Sequence, residues 1–358
     1  MKRQIACLLA SAALLVGCSA GSAVVASTST TADVATTSTT AAPAAAAPST
    51  SNPAPSKAPS SAPPSSSATA GGAVVIVGTG DIAEAGRSTM ASAISTADLV
   101  RAVNPRFVFT VGDNAYPDGS AADFAGKYDP TWGSFKARTR PVPGNHEYHS
   151  TPPSGYLGYF GRANVTNAVD GGVYYGYDLG KGWRAYALNS EVSMDPTSSQ
   201  YAWLKSDLDA HPGTHFLAYW HQPRFVSKVQ HGDRADETAI WDLLRRHGTD
   251  IVLSGHEHHA ERFAKMDGAG ALDPKGIREF ITGNGGNQTY GLPSTLHANS
   301  EFANGYDYGV VRLTLHPNSY DWAFIASGRA FNGSSSITTP SKSRVLDSGT
   351  SATNIINP

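Results

Sequence analysis

Aspartate and histidine residues recur directly after apolar segments, at the position where α/β enzymes place their reactive groups. Apolar, β-branched runs end at Gly80-Asp81 and Gly112-Asp113, and later runs end at His221 and Gly255-His256. The segment 140–143 leads into a further polar motif of Gly, Asn, His and Glu. The candidate functional residues at these exits are Asp81, Asp113, Tyr116, Asn145, His146, His221, His256 and His258.

Oxygen and imidazole donors without sulfur suit iron, manganese or zinc. Both cysteines, Cys7 and Cys18, precede residue 72, so a thiolate ligand in the later part of the chain is excluded. These donors are too many to coordinate one cation. Two cations that share a carboxylate form the usual site for phosphoryl displacement. Each motif alone also fits a turn, a helix cap or a surface loop. Their joint occurrence at five exits predicts a dimetal site.

The elements that position these residues alternate along the chain. Segments with helical spacing cover 92–103, 201–208 and 238–246. The apolar strand segments are 73–77, 107–111, 216–220 and 251–254. This alternation predicts βαβ units around a largely parallel sheet. Antiparallel strands are expected at 172–179 and 183–188, as a hairpin, and at 277–282, 308–315 and 320–326.

Composition divides the chain at residue 72. All 33 aromatic residues and all 12 histidines follow that position, which predicts one catalytic domain over 73–330 and a C-terminal tail over 331–358. Residues 73–358 carry 24 basic and 28 acidic side chains, a formal net charge of −4. Because nucleic acid binding requires a basic surface, nucleic acid is not an expected partner. The sequence indicates no particular protein partner.

The first 72 residues predict export and a tether. Residues 1–18 combine a basic start with a short apolar run and end in a motif that resembles the lipobox of bacterial lipoproteins, with Cys18 as the lipidated residue. An ordinary secretory signal is the alternative. Residues 19–72 are rich in Ala, Ser, Thr and Pro and are expected to form a disordered tether. The expected location is extracytoplasmic, with lipid attachment to the cell membrane.

The motifs and their order along the chain resemble those of the calcineurin-like metallophosphoesterases over residues 73–327. The tyrosine three positions after Asp113 is typical of the purple acid phosphatase branch, and Ala83 stands where other branches place a histidine. The resemblance implies an α/β fold, a sandwich of two mixed β-sheets flanked by α-helices, with the site at one edge.

The resemblance also implies a distribution of ligands between two metals. The first set is Asp81, Asp113, Tyr116 and His258, and the second set is Asp113, Asn145, His221 and His256, with Asp113 bridging. A phenolate is a strong donor that favours iron(III), so iron is expected at Tyr116 and iron, zinc or manganese at the other site.

His146 is the candidate for holding phosphate and protonating the leaving oxygen, with support of a ligand as the alternative. His231 is a second candidate on the substrate side. His149 and His259 are interpreted as loop residues, and Arg224 and Tyr290 as possible pocket residues.

The expected activity is hydrolysis of phosphate monoesters, so the expected partner is a small phosphorylated substrate. A phosphodiesterase acting on nucleotides or phospholipid headgroups is the alternative. A non-enzymatic adhesin or phosphate sensor also stays open.

Overall fold

The computed structural model describes residues 72–84, 86–164, 173–330 and 342–354. The proposed signal segment, Cys18 and all but the last residue of the proposed tether lie outside these ranges. Within them, no helix combines the length and the apolar character needed to cross a membrane.

Thirteen strands and six α-helices are found in the described ranges. The strands are β1 (Val74–Thr79), β2 (Phe107–Val111), β3 (Thr139–Val142), β4 (Tyr175–Gly180), β5 (Trp183–Ala187), β6 (His215–Tyr219), β7 (Ile251–Ser254), β8 (Ala260–Met266), β9 (Ile277–Thr282), β10 (Ser300–Asn304), β11 (Asp307–Leu315), β12 (Ser319–Ala330) and β13 (Arg344–Ala352). The α-helices are α1 (Arg87–Val103), α2 (Ala121–Asp123), α3 (Asp129–Trp132), α4 (Ser154–Asn164), α5 (Ser199–Asp209) and α6 (Thr238–Arg246).

The strands form two mixed sheets, which confirms the predicted fold class. The first sheet has the order β13-β12-β11-β1-β2-β3, and the second has the order β10-β8-β9-β7-β6-β5-β4. In the first sheet β1, β2 and β3 run parallel, and in the second β5, β6, β7 and β9 run parallel. The remaining pairs are antiparallel: β1-β11, β11-β12 and β12-β13 in the first sheet, and β4-β5, β8-β9 and β8-β10 in the second. The parallel centres bring several strand ends to one edge of each sheet.

Alternating residues along β6 show how the layers are filled. Leu217 and Tyr219 belong to the apolar core that both sheets share, whereas Phe216 and Ala218 belong to a second core. Successive side chains of a strand point to opposite faces, so one strand contributes to both cores. The second core also receives buried leucines of α5 and α6, which places these helices on the outer face of the second sheet.

The C-terminal segment differs from the prediction. Residues 344–352 form β13, which pairs antiparallel with β12 and lies at the edge of the first sheet. The tail expected over 331–358 therefore includes a strand of the domain. The strand is rich in Ser, Thr and Gly and half-exposed, so its backbone pairing has no apolar alternation to indicate it.

Candidate metal centre

The polar residues predicted at strand exits converge where the two sheets meet. Asp81 follows β1, Asp113 follows β2, and His256 follows β7. These three residues have positive φ angles of 57°, 47° and 68°. The left-handed region is unfavourable for residues with a side chain and is concentrated at functional sites. The backbone at this edge is therefore shaped to direct side chains inward.

Two glycines permit the close approach of these segments. A Cβ atom on Gly112 would lie 2.5 Å from Nδ1 of His221, and one on Gly144 would lie 2.2 Å from Oδ1 of Asp113. Both distances are far shorter than van der Waals contact. The glycines that precede Asp113 and Asn145 are thus required by the packing of the neighbouring loops.

Tyr116 joins the first group of donors. Its hydroxyl lies 2.9 Å from Oδ1 of Asp81 and 3.0 Å from Oδ2 of Asp113. Nε2 of His258 lies 3.2 Å from the same hydroxyl and 3.1 Å from Oδ1 of Asp81. The four side chains that the resemblance assigns to the first metal therefore meet at one point.

A second group surrounds His221. Its Nε2 atom lies 3.3 Å from Oδ2 of Asp113, 3.1 Å from Oδ1 of Asn145 and 3.1 Å from Nδ1 of His256. Ligand atoms of Asp113, His221 and His256 all lie within 4.8 Å of one another. Asp113 belongs to both groups, so it occupies the position that a bridging carboxylate requires.

Backbone carbonyls orient two of the imidazoles. Nδ1 of His221 lies 2.8 Å from the carbonyl oxygen of Val111, and Nδ1 of His258 lies 2.6 Å from that of Gln288. A carbonyl oxygen only accepts, so Nδ1 carries the hydrogen in both rings. Their Nε2 atoms face the cluster, as is typical of metal-binding histidines.

The electrostatics of the cluster favour positive charge. Asp81 and Asp113 are buried, and no lysine or arginine forms an ion pair with either within the described ranges. Burial alone would lower the pKa of His221, but the charge of Asp113 raises it to about 10. Burial and the neighbouring imidazoles lower the pKa of His256 to about 2, which keeps its lone pair available. The donor set and its charge therefore fit a cation site.

His146 and His231 lie at the edge of the cluster. Nε2 of His146 is 3.8 Å from Oδ2 of Asp113, and its side chain is 28% exposed. The ring of His231 lies 3.8 Å from the ring of His256, at an interplanar angle of 30°. Both candidates are thus beside the predicted metal ligands, and their catalytic roles stay predictions.

The remaining polar candidates divide between the cluster and the core. Tyr290 stacks on His258 at 4.0 Å and places its hydroxyl 3.2 Å from Nε2 of that ring. His149 is exposed and bonds Asp118. Arg224 is buried, and its guanidinium covers the Phe225 ring and donates to the carbonyl oxygen of Gly268. These contacts stabilise the loop.

His259 lies in the loop between β7 and β8, one residue before β8 begins. Its side chain is fully buried, and Nε2 lies 3.0 Å from Oε2 of Glu261 in β8. The partner two positions along the chain is evident only once this strand is known.

Glu147, the glutamate of the polar motif that follows segment 140–143, is a positioning residue whose role is evident only in the structure. Its Oε1 accepts the N–H groups of Asn114 and Ala115 at 2.8 and 3.1 Å. Its Oε2 accepts the N–H of Gly144 at 2.8 Å. The fully buried carboxylate therefore joins the loop after β2 to the loop that carries Asn145.

Three further carboxylates hold the loop after His221. Glu279 accepts the N–H groups of Arg224 and Phe225, and Glu261 accepts that of Ser227. Glu257 accepts the N–H groups of residues 229 and 230 at 2.7 Å each and that of His231 at 2.8 Å. Glu257 lies between two of the predicted ligands, so the same short segment fixes both the cluster and His231.

Comparisons with known proteins agree with this arrangement. The model of the calcineurin-like phosphoesterase family matches residues 74–260, more than half of the chain. Purple acid phosphatase 15 of Arabidopsis thaliana is 31% identical over 172 residues, which cover 44% of this chain and 32% of that protein. Purple acid phosphatase 21 of the same plant is 28% identical over 271 residues, covering 66% of this chain and 60% of that protein.

A solved structure shows the same fold. The purple acid phosphatase isolated from yellow lupin seeds aligns with a TM-score of 0.59 and 18% identity, covering 78% of this chain and 53% of that chain. The matched region spans between about a third and three fifths of the length of the two Arabidopsis proteins.

Replacement of Glu257 by alanine tests the clamp on the His231 loop. Three N–H groups lose a charged acceptor, so the free energy of unfolding is expected to fall by about 2–4 kcal/mol. Urea denaturation of wild type and Glu257→Ala measures the change. Asp98→Ala is the control, because Asp98 lies on α1 and its side chain is 66% exposed. A loss no larger than that of the control would contradict the clamp.

Proposed function

Because the chain belongs to the calcineurin-like phosphoesterase family, we propose that it hydrolyses phosphate monoesters at a dimetal centre. The carrying observation is the convergence of two donor groups on Asp113, whose buried charge has no lysine or arginine partner among the described residues. The likeness to purple acid phosphatases supports the monoester reaction over other uses of the fold.

The proposed ligands follow the two groups. One metal would be held by Asp81, Asp113, Tyr116 and His258, and the other by Asp113, Asn145, His221 and His256. When bound, two such ions supply positive charge to the phosphoryl oxygens and lower the pKa of the attacking water. They also account for the binding of an anionic substrate by a slightly acidic domain.

Iron(III) is the proposed metal beside Tyr116. Burial and the charges of Asp113 and Asp81 raise the pKa of the phenol well above its usual value. The phenol is therefore expected to release its proton to solvent when a strongly charged cation binds its oxygen, which favours a trivalent ion at this position. Iron, zinc or manganese is proposed for the second position.

His146 has the geometry of a proton donor to the leaving oxygen. Its Nδ1 lies against the carbonyl oxygen of Pro117, which fixes the ring and leaves Nε2 directed toward Asp113. A protonated Nε2 can hold the phosphate and then transfer its proton to the departing alkoxide. His231, held by Glu257, is the proposed second group on the substrate side.

The N-terminal segment supports a proposal for location. We propose that residues 1–18 direct export, that Cys18 is lipidated, and that the domain acts outside the cytoplasm, attached to the membrane through a tether.

Substitution in the second donor group tests the proposed reaction. His221→Ala and Asn145→Ala are expected to lower kcat/KM for a phosphate monoester at least a hundredfold, because both remove a metal ligand. Wild type and variants are assayed with 4-nitrophenyl phosphate and bis(4-nitrophenyl) phosphate side by side. Turnover of the diester alone would favour the phosphodiesterase alternative. Full activity of either variant would contradict the proposed centre.

Iron bound at Tyr116 predicts a visible colour. Protein loaded with iron is expected to show a broad phenolate-to-iron absorption band, and Tyr116→Phe is expected to lose it. Tyr290→Phe is the matched control, since Tyr290 stacks on His258 and lies outside the proposed ligand set. Metal analysis accompanies the spectra. A colourless wild type with bound zinc or manganese would contradict iron at this position.

Lipidation at Cys18 is tested by fractionation of cells that express the full chain. The wild type is expected in the membrane fraction and in the detergent phase of a two-phase separation. Cys18→Ala is expected to lose this partition because no acyl chains are attached, while Cys7→Ala serves as the control. Equal partition of Cys18→Ala and wild type would contradict the proposal.

A further inference from the structure

A cavity of about 290 Å³ lies beside the residue that follows His221 in the chain. It is lined by residues 190–195, which follow β5, and by Arg234, Asp236 and Glu237. Gln222, the residue after His221, connects the cavity to the cluster. Its N–H donates to Oγ of Ser190 at 3.1 Å, and its amide donates to Oε1 of Glu191 at 2.8 Å.

The chain segment that lines the cavity after β5 is also joined to the segment that carries His146. Asn189 precedes the lining residues and donates from Nδ2 to the hydroxyl of Tyr148 at 2.8 Å. The negative charge of Glu191 also contributes to raising the pKa values of His221 and Tyr148. The cavity is thus within electrostatic reach of His221 and is joined to the segment that carries His146.

The lining of the cavity is acidic. Its single arginine, Arg234, forms two hydrogen bonds with the carboxylate of Asp236, at 2.9 and 2.6 Å. The lining therefore keeps an excess of acidic side chains, and two of them, Glu191 and Asp195, form no ion pair within the described ranges. The Oε2 atom of Glu191 has no hydrogen bond to the described residues.

Glu237 provides an independent observation. Its side chain is buried and lines the same cavity. It forms no ion pair within the described part of the chain. Oε2 accepts from Nε1 of Trp220 at 2.9 Å, whereas Oε1 lacks a hydrogen-bond partner among the described residues. A buried carboxylate oxygen that faces a cavity requires a hydrogen-bond donor, which a bound ligand with an N–H or O–H group can supply.

Carboxylates beside a phosphate site weaken the binding of substrates that carry further negative charge. A second phosphate or a carboxylate on the alcohol part would be repelled, whereas an ammonium group would be attracted. Val192 and the largely buried Met194 add apolar surface suited to the carbon chain of a small aminoalkyl group.

We propose that this cavity receives the alcohol part of the substrate and selects phosphate esters of amino alcohols, with Glu191 as the residue that recognises the ammonium group. The proposal rests on the proposed phosphatase function and specifies its substrate class.

Two nearly isosteric esters test the selection. In 2-aminoethyl phosphate an ammonium group replaces the terminal methyl group of propyl phosphate. Wild type is expected to show a kcat/KM about tenfold higher for the aminoethyl ester, and the ratio is expected to fall between 20 and 500 mM NaCl because the attraction is screened. Glu191→Gln is expected to lower the ratio about fivefold, mainly through KM for the aminoethyl ester.

Two further variants complete the experiment. Asp98→Asn removes an exposed charge on α1 and is expected to leave the ratio unchanged. Glu191→Lys is expected to reverse the preference in favour of ethane-1,2-diol bisphosphate, which carries a second phosphate. Thermal unfolding of each variant shows whether it is folded, and the ratio and salt dependence of wild type do not depend on any variant.

The outcomes separate the two proposals. Turnover of neither ester by the metal-loaded protein would overturn the proposed function and this inference with it. Turnover of both with a wild-type ratio near one, or an unchanged ratio in folded Glu191→Gln, would overturn the amino alcohol selection alone.

Discussion

The buried carboxylate of Asp113 is the group on which the arrangement of the site depends. Its Oδ2 meets the Tyr116 hydroxyl on one side and Nε2 of His221 on the other, and its Oδ1 accepts the N–H of His146. A charge removed from water is costly unless opposite charge is close. The surrounding donors are a phenol, imidazoles, an amide and a second carboxylate, so the compensating positive charge comes from protonated imidazoles or, as proposed, from bound cations.

Carboxylates also hold the loops that carry the donors. Strand exits leave backbone N–H groups without sheet partners, and buried N–H groups require an acceptor. Glu147 and Glu257 each accept three N–H groups from neighbouring loops. Their bonds fix backbone positions, which leaves the ligand side chains little freedom. A site that is ordered before substrate arrives loses less entropy when the reaction begins.

Acidic side chains are concentrated at two neighbouring places in the domain. The centre is acidic where cations are expected, and the neighbouring cavity is acidic where the alcohol part of a substrate would lie. Under the two proposals, positive charge supplied by metals would hold a phosphate, while Glu191 would attract an ammonium group at the other end of the same molecule.

The sequence alone determined the residue types at the strand exits, and the apolar runs that precede them predicted strands of a largely parallel sheet. The two-sheet fold was expected only from the resemblance to the phosphoesterase family. Asp81, Asp113 and His256 were identifiable because each follows a run that predicts a buried strand. Strand β13 was not identifiable, since pairing through the backbone leaves no apolar pattern in a Ser- and Thr-rich segment. The buried hydrogen bond of the loop residue His259 was not identifiable either, because it depends on the strand that contains Glu261. Only the tertiary structure decided which oxygen meets which nitrogen, which glutamates hold the loops, and that an acidic cavity lies beside Gln222. These features arise from contacts between segments far apart in the chain, and such contacts have no local signature in the sequence.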